Sequence, residues 1–210
     1  MTFFFIGLFV GGCINVVGYK LLRSKTIQSS HYNRLYSRYR LIVKLITGLL
    51  FFFLHNVYDH SPEFWGYAVF ITIIILSSVI DIAAGVIPNH IIIAGLISGI
   101  FLGRIKCIVF YHIYGAMLGF LIFLVIYIFS KGGMGAGDVK FAAVLGSFLG
   151  VKLLLLSIII AFLSGAVVGM WLILMNKKSM KSSIPFAPFM GLGAITSLLC
   201  GEGLIGIYMN

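Results

Sequence analysis

Long apolar runs fill almost the whole chain, separated by short clusters of glycine, proline or basic residues. A helix needs about 20 apolar residues to cross some 30 Å of hydrocarbon. Runs of roughly that kind are predicted as helices at 3–19, 41–57, 64–80, 88–103, 107–129, 139–151, 153–175 and 185–207. The sixth is short and reads as a half-span, or as a helix in a thin region. The pattern therefore predicts an all-α fold, a polytopic membrane bundle of about eight transmembrane helices. It forms a single domain over residues 1–210, with both termini outside.

Composition removes the soluble alternative. Hydrophobic residues make up 61% of the 210 positions and charged residues only 10%, against roughly a quarter in soluble domains. Too few charges are present to cover a globular surface. The opening "MTFFFIGLFVGGCINVVGY" has no basic segment before its apolar run, so it reads as a retained span and not a secretory signal. "VGGC" weakly resembles a lipoprotein cleavage site, but the residues after Cys13 continue as an apolar helix. Cys13, Cys107 and Cys200 are far apart, with no CxxC pair, and read as small apolar fillers. His31, His55, His60, His90 and His112 are likewise scattered without ligand spacing. No metal site is indicated.

The net charge of +10 becomes informative once it is placed on the spans. With eight crossings, Lys20, Arg23, Lys25, Arg34, Arg38, Arg40, Lys44, Lys131, Lys140, Lys177, Lys178 and Lys181 share one face. Only Arg104, Lys106 and Lys152 lie on the other. The positive-inside rule makes the first face cytoplasmic. Omitting the short sixth span would carry Lys177, Lys178 and Lys181 outside, so the charges favour keeping it. The basic excess is topological, and no nucleic acid partner is needed to explain it.

Acids sort as clearly. Asp59, Glu63 and Glu202 fall in or near outer loops, whereas Asp81 and Asp138 are the two on the cytoplasmic side. Two spans separate them, an even number, so topology alone returns them to one depth. Asp81 ends a span in "SSVIDIAAGVIPNHI"; Asp138 opens one in "KGGMGAGDVKF". Ionisable residues at membrane depth are costly and mark function. The glycines beside Asp138 are expected to adopt φ > 0 and to let another backbone approach closely. A pair of carboxylates sharing a proton suits general acid–base attack of water on a peptide carbonyl. Two blander readings stand beside it: Asp138 as a helix cap, and Asp81 as an ion-pair partner of Lys140. "GMGAGD" also misses the spacing of a dinucleotide-binding G-x-G-x-x-G.

"GMGAGDVKFAAVLG" resembles the GxGD signature of the type IV prepilin peptidases, and "DIAAGVIPNHI" their first aspartate motif. "GLFVGGCINVVGYKL", "SRYRLIVKLITGLLF" and "IPFAPFMGLGAI" are similar to their first span, the opening of their second and the proline-rich opening of their last. The five stretches occur in order over nearly the whole chain. The resemblance implies a membrane aspartic endopeptidase. Such enzymes remove the short basic leader of type IV prepilins and pseudopilins at the cytoplasmic face of the bacterial membrane. By motif, Asp81 and Asp138 are implied as the catalytic pair, with Gly135, Gly137, Lys140 and Asn15 in support. The implied partners are prepilin-like precursors and the lipid bilayer.

Two departures bear on a second family activity, N-methylation of the new amino terminus. Longer members carry a cysteine-rich, metal-binding insert after the first span; here the loop is the short "LLRSKTIQSSHYNRLYSRYR". Lys44 stands where members usually have glutamate. No cofactor is expected, with S-adenosylmethionine entering only if methyl transfer is retained. The rival readings are a GxGD intramembrane protease of another substrate class and a small transporter using Asp81 and Asp138 as ion or proton sites.

Overall fold

The computed structural model describes residues 1–24, 30–59, 61–105, 108–130, 133–175 and 184–209. Lys25, His60, Lys106, Cys107, Lys131, Lys177, Lys178 and Lys181 lie outside the described residues. Among those described, the chain forms seven helices and no strand: α1 (Thr2–Ser24), α2 (Ser30–Tyr58), α3 (Pro62–Ala84), α4 (Asn89–Ile105), α5 (Val109–Phe129), α6 (Ala136–Leu174) and α7 (Ala187–Met209). Helices dominate because lipid offers the backbone no partner, so each N–H and C=O must be satisfied within its own segment. Five of the seven are long and apolar enough to cross a membrane, while Asn89–Ile105 and Ala187–Gly201 are shorter apolar helices. Large apolar side chains such as Phe5, Phe9, Phe110 and Leu163 point outward, as expected where the solvent is hydrocarbon. This is a polytopic membrane helical bundle.

Small residues set the helix contacts, since apolar side chains gain little by leaving lipid for protein. Gly7 and Gly11 of α1 lie against Gly48 and Lys44 of the antiparallel α2. The buried Asn15 amide donates to the Arg40 carbonyl at 3.0 Å. Lys44, half-buried, runs beside Gly12. On α4, Gly95 meets Val144 and Gly99 meets Ser147 of α6. Phe70 of α3 stacks on Phe148 at 4.4 Å between ring centroids, in the middle of the core.

Helix α6 reverses direction part-way along its length. Gly119 of α5 lies against Ala142 and Leu154 together, and Gly115 against Gly146 and Gly150. Phe123, further along α5, reaches Phe162. Moving along α5 thus means moving backward through the first half of α6 and forward through the second. The two halves are antiparallel and fold back at Gly150, whose φ of 68° and ψ of −173° lie outside helical space. Seven helices therefore provide eight rods, as the apolar pattern predicts, with the break two residues before the expected Lys152. The first half, 136–149, is only about 21 Å long at 1.5 Å per residue.

A break in lipid exposes backbone groups that must find partners elsewhere. Adjacent residues of α5 supply them. His112 makes a 2.7 Å hydrogen bond through Nδ1 to the Ser147 carbonyl, at the end of the first half. The Tyr111 hydroxyl accepts the Lys152 amide at 3.0 Å, at the start of the second. Tyr111 also occupies the space a β-carbon on Gly150 would take.

The φ/ψ at Gly150 is essentially restricted to glycine. Gly150→Ala is expected to destabilise the protein by about 2 kcal/mol or more, adding the cost of the conformation to displacement of the Tyr111 ring. Thermal unfolding of the purified protein in detergent measures this. An unchanged melting point would show that the chain does not reverse at Gly150.

Candidate active site

Asp81 lies on the last turn of α3, which stops four residues later because Gly85 takes a left-handed conformation, φ 63° and ψ 25°. The Gly85 amide closes the end by donating to the Asp81 carbonyl at 2.8 Å. The chain then turns through Ile87 and Pro88 into α4. With α3 finished there, the Asp81 side chain projects toward the start of α7. Its Oδ2 accepts the amide of Ala187 at 3.1 Å, across 106 residues of sequence. Ala187 is the first residue of α7, where free amides and the helix dipole favour a carboxylate. Pro185 and Pro188 flank it, the latter at the second helical position, where a missing N–H costs nothing.

Asp138 is held in the same way by a different helix. It is the third residue of α6, and its Oδ2 reaches back to the amide of Gly135 at 3.3 Å. That is one half of a capping box; glycine has no side chain to provide the other. Asp81 and Asp138 are both buried, at 7% and 8% exposure. They are close enough for their charges to act on each other. Each carboxyl is thus tethered by a helix-terminal amide, and Asp81 is held by the Phe186 amide as well.

The glycines differ from expectation. Among the described glycines positive φ occurs at Gly85 and Gly150, not at Gly135 or Gly137. Gly135 is extended, φ −76° and ψ 140°, and Gly137 is already in the first turn of α6. The helix starts sooner than the glycine-rich spelling suggests, so ordinary backbone angles suffice. Contacts distinguish the two positions. A β-carbon on Gly137 would sit 3.6 Å from Ile87, an ordinary contact; one on Gly135 would sit 3.2 Å from the Asp138 carboxylate, a tight one.

Lys140 points away from the pairing with Asp81 weighed above. Its ammonium donates to Asn89 Oδ1 at 3.0 Å, linking α6 to the first residue of α4. Asn15 does not join the group; its amide serves the α1–α2 contact. The motif reading named Asp81, Asp138, Gly135, Gly137 and Lys140, which all gather at one end of the bundle. It missed Ala187, Ile87 and Asn89. For Ala187 a signal existed, the proline pair that starts a helix; Ile87 and Asn89 stand in the quoted "VIPNH" without distinction. Among the described residues no three His, Cys, Asp or Glu side chains gather as a metal set.

Two buried, neighbouring carboxyl groups can take a proton from water and polarise a carbonyl in one step. Comparison with known proteins supplies the context. Residues 68–170 match the Type IV leader peptidase family, a stretch containing both aspartates. A prepilin leader peptidase/N-methyltransferase of Bacillus subtilis (strain 168) is 34% identical over 172 residues, covering 80% of this chain and 68% of that protein. Proteins of the same name from Aeromonas salmonicida (strain A449) and Stutzerimonas stutzeri are 34% and 28% identical over 46% and 63% of this chain. Those stretches cover 35% and 48% of the two proteins' own lengths. No solved structure matches the chain significantly.

The contact difference between the glycines sets an order of damage. Gly137→Ala is expected to keep leader-removing activity within roughly threefold of wild type, since a methyl adds only ordinary packing on Ile87. Gly135→Ala crowds the Asp138 carboxylate and should cost about tenfold or more, at normal membrane abundance. Cleavage assays on both variants test this. Equal activities would mean that crowding at Asp138 Oδ2 is without consequence.

Proposed function

The chain belongs to the type IV leader peptidase family and is a multi-pass bacterial membrane prepilin peptidase; from that premise we propose that it is an aspartic endopeptidase acting through Asp81 and Asp138. Its substrates are prepilins or pseudopilins, from which it removes the short basic leader at the cytoplasmic face of the cell membrane. The observation that carries this reading is the matched tethering of two buried, interacting carboxyl groups by the Ala187 and Gly135 amides.

In the cycle, one carboxyl is ionised and the other protonated. The ionised group takes a proton from water as the water oxygen bonds to the scissile carbonyl carbon. The protonated group donates a hydrogen bond to the carbonyl oxygen, where negative charge develops. Collapse of the tetrahedral intermediate breaks the C–N bond, and the leaving amine takes up the proton. Tethering each carboxyl by a backbone amide removes the need to order it during reaction. The basic residues that the sequence places on the same side support a cytoplasmic position for the end of the bundle that holds the pair. Both acids lie at helix ends and not at mid-span, which disfavours the transporter reading.

Relatives carry N-methyltransferase in their names. The residues here do not fit the cofactor that reaction uses. S-adenosylmethionine carries a cationic sulfonium, and Lys44 beside Gly12 supplies positive charge where the motif comparison expects a carboxylate. The loop after α1 also has no cysteine. The enzyme proposed here cleaves without methylating.

Asp81→Asn and Asp138→Asn should each lower cleavage of a prepilin precursor about 100-fold or more. Membrane abundance should hold, since asparagine still offers an oxygen to the capping amide. Leader loss on coexpression, followed by gel mobility, reports it; substantial activity in either variant would sink the pair. Mass spectrometry of the mature product should show an unmethylated amino terminus when this is the sole processing enzyme. A product heavier by one methyl group would overturn the assignment of Lys44 as incompatible.

A further inference from the structure

Asp138 is fixed by the start of its own helix and Asp81 by the first amide of α7, but the reaction depends on their spacing from each other. Asp81 belongs to a unit made of the end of α3, the Gly85 turn and the start of α4. Asp138 belongs to the first turn of α6. Deeper in the bundle α4 and α6 are packed through Gly95 on Val144 and Gly99 on Ser147. At the aspartate end, two features among the described residues bear on how these units meet. One is loose: Ile87 lies beside Gly137, near enough only that an added β-carbon would touch it at 3.6 Å. The other is directional: Lys140 Nζ donates to Asn89 Oδ1 at 3.0 Å.

Both side chains are exposed. An exposed hydrogen bond competes with water and adds little to folding, so stability does not explain this link. Its position does. Lys140 is two residues past Asp138 on α6, and Asn89 opens α4 just beyond the turn that ends the Asp81 helix. We propose that Asn89 and Lys140 form a brace that sets the separation of Asp81 and Asp138, so that both are positioning residues and neither touches the substrate. The proposal rests on the aspartic-pair reading above and adds what holds the pair at working distance. Lys140 carries out this role as a hydrogen-bond donor to Asn89, and its charge is not required by the substrate.

The test uses the full chain in detergent with a synthetic precursor, a basic leader joined after glycine to an apolar segment. Lys140→Met and Asn89→Ala should each lower kcat about tenfold, with KM unchanged, because misplacement of catalytic groups by an ångström costs that much or more. The double variant should be no worse than either single one, since both remove the same bond. Lys140→Arg, which keeps a donor, should recover most of the activity. Three results overturn the brace: wild-type kcat in Asn89→Ala, losses that multiply in the double variant, or a raised KM confined to Lys140→Met. The last would make Lys140 a substrate contact. A second measurement is independent of catalysis. Spin labels on Val86→Cys and Ala136→Cys, both exposed sites, in a background lacking Cys13, Cys107 and Cys200, report the distance between the two units. Asn89→Ala should broaden that distribution, and an unchanged width overturns the brace even if the precursor is not the right substrate. Failure of wild type to cut the precursor, with broadening present, overturns the proposed leader substrate and leaves the brace standing.

Discussion

The hydrogen bond from the Ala187 amide to Asp81 Oδ2 is the contact on which the site's architecture depends. It spans 106 residues and joins the end of one helix to the beginning of another. A carboxylate buried in apolar surroundings carries a large desolvation penalty unless it is hydrogen-bonded. The first amides of α7, in turn, have no intrahelical acceptor. Each is the other's solution. Asp138 answers the same problem within α6 by reaching back to Gly135. The chemistry proposed above needs two carboxyl groups in a dry place, and helix N-termini are where such groups can be kept.

Much of the fold was legible because lipid makes hydropathy nearly synonymous with structure. Each predicted span coincides with a helix or with half of α6. The boundaries moved for physical reasons. "SHYNRLYSRYR" is too polar to be read as a span, yet α2 begins at Ser30, since helix continues beyond hydrocarbon wherever the backbone can bond to itself. The reversal was expected at Lys152, the charge, and occurs at Gly150, the residue able to take the required angles. Hydropathy sees the charge more readily than it sees φ.

The site was legible in part. The parity of the crossings brought Asp81 and Asp138 to one end, an argument needing no atomic detail. The partners of Asp81 and Lys140 could not be read off, because Ala187 and Asn89 enter through tertiary contacts at large sequence separation and drew no notice in the sequence. Glycine-rich spelling misled about backbone angles. A run such as "GGMGAGD" permits positive φ without requiring it, and the early start of α6 settled the angles in the ordinary range. Asn15, grouped with the site by motif, turned out to be helix–helix adhesive.

The reversal at Gly150 also bears on the order in which the chain is made. Tyr111 and His112 satisfy the backbone groups that the break leaves open, and both precede the break by more than a helix. A ribosome delivers α5 to the bilayer before α6 exists. The groups that need partners therefore emerge into a membrane where those partners are already waiting. Had the two residues been placed after Gly150, the bent segment would have had to lodge in lipid with bare amides and carbonyls, each costing several kcal/mol. Vectorial synthesis and the geometry of a single glycine are matched in this chain by the position of one dipeptide.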